Sequence, residues 1–101
     1  MIRDFPKHPA AYNQAAWLSA CCRRRLDRGL ELARKAVALS PKTAAYHDTL
    51  AEVLFQLGKK AEAVAAQKRA VALSPARVYF RKQLKRIEAG DPKAPRPDED
   101  E

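Results

Sequence analysis

The hexapeptide Ala36-Val37-Ala38-Leu39-Ser40-Pro41 recurs as Ala70-Val71-Ala72-Leu73-Ser74-Pro75, 34 residues further along. Proline ends a helix, and a fixed period of this length closing on Pro describes a helix-turn-helix unit written twice. Such a unit cannot bury its apolar side alone, so the duplication predicts stacked helical hairpins and an all-α chain. With 101 residues there is room for one small domain. A composition of 47% apolar and 32% charged residues with only three glycines is that of a helical protein exposed to water.

Residues 1–9 hold two prolines and no helical period, which predicts an extended lead-in; Pro6-Lys7 and Ala10-Ala11-Tyr12 echo Pro41-Lys42 and Ala44-Ala45-Tyr46, as though an earlier unit ended there. The first unit spans 10–41. Tyr12, Ala16 and Ala20, with Trp17 beside them, form an apolar stripe on a first helix, opened by Pro9 and ended by Arg23-Arg24-Arg25. Asp27 is placed to cap a second helix whose buried side reads Leu26, Leu30, Ala33 and Val37.

The second unit spans 42–75. Thr43 is the candidate N-cap, Tyr46, Leu50, Val53, Leu54 and Leu57 share one face, and Gly58 is suited to a left-handed helix end. The next helix is expected to bury Ala63, Val64, Ala70, Val71 and Leu73, and to leave Lys59, Lys60, Glu62, Lys68 and Arg69 in water. A closing helix over 76–90 aligns Phe80, Leu84 and Ile87 among Arg77, Arg81, Lys82, Lys85, Arg86 and Glu88, as a solenoid cap does, and stops at Gly90. Residues 91–101 contain three prolines and no apolar side chain larger than alanine apart from them, which predicts a disordered acidic tail.

These residues resemble the tetratricopeptide repeat family. Leu50, Ala51, Leu54, Gly58, Ala63, Ala70 and Pro75 fall on its pattern of small and large positions in the second unit, and Ala16, Ala20, Gly29, Ala36 and Pro41 in the first. In the first inter-helix turn Arg24 stands where that family usually has Gly, and Trp17 occupies a normally small position. The resemblance implies antiparallel helix-turn-helix repeats stacked as a short right-handed superhelix. It also implies a concave face, lined by the first helix of each repeat, that binds a peptide or helix of a partner. The concave positions are Ala11, Gln14, Ala15, Leu18, Cys21 and Cys22, then Ala45, Asp48, Thr49, Glu52, Phe55 and Gln56, then Tyr79, Lys82, Gln83 and Arg86. Leu18, Phe55 and Tyr79 lie outside the core stripes and are the expected anchors. The two-carboxylate clamp of one subgroup is missing, since Gln14, Leu18, Thr49, Tyr79 and Gln83 occupy its places.

The net charge of +8 is uneven: the first unit with its lead-in and the closing helix are basic, the tail acidic. A protein partner with acidic residues and apolar anchors is therefore expected. The alternative is a nucleic-acid adaptor, argued from the charge and the arginine run. Against it, Tyr12, Trp17 and Tyr46 are required by the core and are not free to stack on bases. The chain lacks the motifs of nucleophilic, phosphate-binding or paired-histidine chemistry, and Asp48 and Glu52, one turn apart, read as a solvated acidic pair, so no catalysis is expected. Cys21 and Cys22 are adjacent, so they diverge on a helix, and with His8 and His47 remote no metal or cofactor is expected. Neither a signal peptide nor a membrane span is legible, and a reduced, cytoplasmic setting is expected. Two repeats and a cap leave the flank of the first hairpin uncovered, which points either to further repeats of a longer parent chain, of which this would be the C-terminal part, or to a homodimer through that hairpin.

Overall fold

The computed structural model describes residues 9–22 and 24–90. The lead-in expected before Pro9, Arg23 and the tail over 91–101 lie outside the described residues. Within them the chain is all-helical: α1 Pro9–Cys22, α2 Leu26–Leu39, α3 Ala44–Gln56, α4 Lys60–Leu73 and α5 Val78–Ala89.

The sequence period recurs as geometry. α2 and α4 are each 14 residues long and begin 34 residues apart, at Leu26 and Lys60. Each stops on a serine with nearly the same backbone, φ −144°, ψ 75° at Ser40 and φ −143°, ψ 68° at Ser74. The hydrogen bonds of the two turns also match: Ser40 N–H to Ala36 O (3.0 Å) and Tyr46 N–H to Thr43 O (3.0 Å), then Ser74 N–H to Ala70 O (3.1 Å) and Phe80 N–H to Arg77 O (3.2 Å). The cause is the shared Ser-Pro, since proline cannot continue the helix. Thr43 does occupy the N-cap position of α3 but makes no capping bond; its hydroxyl lies 2.6 Å from that of Ser40.

The turn between α3 and α4 ends as Gly58 predicts. Gly58 has φ 83°, its N–H donates to Phe55 O (3.0 Å), and Lys59 N–H reaches Leu54 O (2.9 Å), the paired bonds of a glycine-terminated helix. The turn between α1 and α2 solves the same problem without glycine. Arg25, not Arg24, takes the left-handed conformation, with φ 51° and ψ 49°. Ser19 Oγ donates to the carbonyls of Arg24 and Arg25, 2.9 Å to the latter. α2 consequently starts at Leu26, and Asp27 sits in its first turn rather than at the cap.

α3 is the centre of the molecule, in contact with α1, α2 and α4, while α5 lies on α4. One core cluster joins the first three helices through Tyr12, Ala16, Ala20, Leu32, Ala33, Ala36 and Val53. A second gathers Ala51, Leu54, Phe55, Ala63 and Ile87, and a third Ala70, Tyr79 and Phe80. Tyr12, Ala16 and Ala20 are buried as the stripe on α1 predicts. On α2 the buried row is Gly29, Leu32, Ala33 and Ala36, rotated from the expected Leu26, Leu30 and Val37, which are half-buried. The small residues decide this, because they let the helices approach closely: a Cβ on Gly29 would lie 2.7 Å from Ser19 Oγ. Leu30, at the edge of that row, packs against two clusters at once. On α4, Leu73 is 38% exposed and Gln67 is buried instead, its Nε2 donating to Phe80 O at 3.0 Å.

Candidate functional site

The expected concave residues come from α1, α3 and α5, and the structure divides them. Gln14 and Leu18 on α1 are exposed, Leu18 to 55%. Lys82 on α5 is half-buried. Asp48, Thr49, Glu52 and Phe55 on α3 and Tyr79, Gln83 and Arg86 on α5 are all buried.

Two of the three expected anchors are therefore core residues. Phe55 belongs to the second cluster and Tyr79 to the third, where its ring meets Phe80 edge-on with centroids 5.8 Å apart. The reason is the position of α3. A helix with neighbours on several sides buries more of its circumference than one apolar stripe, and α3 buries eight residues, polar ones among them.

Glu52 and Arg86, expected in water, form a buried ion pair between α3 and α5. Glu52 Oε1 accepts from Gln83 Nε2 and from Arg86 Nη1, each at 2.7 Å, and Oε2 accepts from Gln56 Nε2 at 2.8 Å and Arg86 Nη2 at 3.3 Å. Arg86 Nη1 also donates to Gln83 Oε1 at 3.2 Å, and its guanidinium lies 5.2 Å from the centre of the Phe55 ring. A carboxylate offers about four acceptor sites, and these four bonds occupy them. The arrangement holds two helices in register and leaves little of the carboxylate to engage anything else. Thr49 turns inward too, its hydroxyl donating to Ala45 O at 3.1 Å.

Two members of the arginine run, Arg24 and Arg25, meet Leu18 at one place. A pocket of about 420 Å³ opens between α1 and α2, with Leu18 and Leu32 on its walls and Arg24, Arg25 and Arg28 beside them. Leu18 signals this site in the sequence through its place off the core stripe. Arg28 and Leu32 carry no such mark, since only the packing of α2 against α1 brings them there.

Among the described residues no group of three or more His, Cys, Asp or Glu side chains is placed to hold a metal ion, and no helix is long and apolar enough to cross a membrane. Cys21 and Cys22 are both exposed. No protein-family model, curated protein or solved structure matches the chain.

Proposed function

We propose that this chain is a non-catalytic protein-interaction module, two tetratricopeptide-like repeats and a closing helix stacked as a short right-handed superhelix that holds a peptide or helix of a partner. The observation that carries the reading is the 34-residue recurrence of whole helices and of the turns between them. Repetition of one supersecondary unit builds an extended surface rather than an enclosed reaction centre. On the α1, α3 and α5 face, the exposed Gln14, Leu18, Cys21, Cys22 and Ala45 and the half-buried Lys82 are members that a partner reaches. Asp48, Thr49, Glu52, Phe55, Tyr79, Gln83 and Arg86 support that face from beneath. Nucleic-acid binding is the weaker reading: Tyr12 is buried, and Trp17 and Tyr46 are half-buried, which leaves these rings poorly placed to stack on bases.

An unbiased interaction screen with the intact chain tests this. The expected result is a small set of protein partners whose capture survives nuclease treatment and weakens when Gln14, Leu18 and Lys82 are replaced together by Ala. Capture that disappears with nuclease would replace the reading by the nucleic-acid one.

A further inference from the structure

Leu18 is the most exposed large apolar side chain among the described residues, ahead of Leu39 at 45% and Leu73 at 38%. Leu39 and Leu73 end α2 and α4 at equivalent places. Leu18 is different, because it walls the 420 Å³ pocket between α1 and α2 together with Ala15 and Leu32. The pocket is open toward solvent, a groove that a side chain can enter from outside rather than an enclosed cavity. Leu32 is 6% exposed and anchored in the first cluster, so this wall is preformed.

The rim is basic. Arg24, Arg25 and Arg28 line the pocket and all three are exposed, and among the described residues no acidic side chain lines it. Glu31 is the acid paired with Arg28, at 3.7 Å, with both side chains more than half exposed (57% and 66%), a contact that water and salt weaken. Ser19 Oγ donates to the Arg25 carbonyl at 2.9 Å, which ties the backbone of that rim residue to α1. A guanidinium binds a carboxylate with two parallel hydrogen bonds.

Resting on the module reading above, we infer that this pocket docks an acidic segment of a partner protein that carries one large apolar side chain. That side chain enters against Leu18 and Leu32, and flanking carboxylates meet Arg24, Arg25 and Arg28. The chain's other candidate occupants fit less well. A second copy brings a net charge of +8 to a basic rim. The segment 91–101 has the carboxylates, in Asp98–Glu101, but no large apolar side chain to fill the pocket.

Fluorescence anisotropy of the full chain with a labelled twelve-residue peptide of Asp and Glu around one central Leu is the test. Circular dichroism melts confirm that each variant is folded. Exchanging the central Leu of the probe for Ala should weaken binding at least fivefold, as should Leu18→Ala in the protein. Arg24→Glu with Arg28→Glu should weaken it at least tenfold, while Lys68→Glu with Arg69→Glu, exposed on α4, should change it less than twofold. Equal weakening by both pairs, or no preference for Leu over Ala, would overturn the proposal in favour of diffuse charge attraction. It is equally overturned if a twelve-nucleotide oligouridylate binds tighter with the same variant dependence, if the probe binds only after residues 91–101 are deleted, or if sedimentation shows the pocket filled by a second copy. Partners from the interaction screen that bind undiminished to the pocket variants would remove the pocket and leave the module reading standing. Failure of both the screen and the probe would remove both.

Discussion

Glu52 Oε1 lies 2.7 Å from Arg86 Nη1, with the two side chains 0% and 6% exposed and the residues 34 positions apart. They stand one sequence period apart, and Leu18 stands one period before Glu52. The second unit can therefore bind the closing helix through an ion pair. The leucine one period before Glu52 offers a carboxylate no hydrogen bond. Glu52 turns to α5, and Leu18 is left at the surface.

Removing one member of this pair strands the other without its charge partner in the interior. Glu52→Ala should cost about 3–5 kcal/mol, a large part of the stability of a domain this size. The double change Glu52→Leu with Arg86→Met should recover at least half of that loss, since neither charge then remains buried. Urea denaturation measures both, and a loss below about 1 kcal/mol for Glu52→Ala would mean that water reaches the pair.

Phe55→Ala should be at least as damaging as Leu50→Ala, each on the order of 2–5 kcal/mol. The apolar stripe on α3 implied the opposite order, because it includes Leu50 and omits Phe55. In the structure Phe55 is 3% exposed and beneath the Arg86 guanidinium, whereas Leu50 is half-buried. Midpoints of thermal or urea unfolding for the two variants decide it.

Arg25→Gly should stabilise the chain by up to about 1 kcal/mol. A side chain at φ 51° is disfavoured sterically by about 1–2 kcal/mol, and glycine returns part of that as backbone entropy. The melting temperature should rise by about 4–8 °C per kcal/mol. An unchanged or lower value would show that the Arg25 side chain contributes as much as its backbone costs.

Gly29→Ala should destabilise despite the better helix propensity of alanine. The new methyl would lie 2.7 Å from Ser19 Oγ and 2.9 Å from Ser19 Cβ, forcing α1 and α2 apart or breaking the hydroxyl's bonds to the turn. Overpacking of this kind costs about 1–3 kcal/mol, against about 1 kcal/mol of propensity gained. Ser19→Gly removes the atoms that the methyl meets, so Gly29→Ala should cost less in the Ser19→Gly background than in the parent chain, and an equal cost in both would locate the strain elsewhere.

The helices and their ends were legible in the residues because their causes are local. Pro41 and Pro75 stop α2 and α4, Gly58 and Gly90 supply positive φ where α3 and α5 end, and Tyr12, Ala16 and Ala20 repeat at the helical period. Where the pattern is broken, the residue that takes over was not legible. Arg24 stood in the sequence where glycine was wanted, yet the left-handed residue is Arg25, because a serine five positions before Arg24 holds both carbonyls.

Burial of polar residues is the part that tertiary structure alone decided. A stripe of apolar residues reports one face of one helix, so it finds Val53 and Leu54 and passes over Glu52, Phe55, Gln67, Gln83 and Arg86, which are buried because further helices lie against them. Whether a glutamate faces water or a guanidinium depends on what its neighbour 34 residues away happens to be. That pairing is a property of two helices at once, and no spacing within either one encodes it. The same holds for the pocket: Leu18 and the arginines are adjacent only because Gly29 lets α2 close on Ser19.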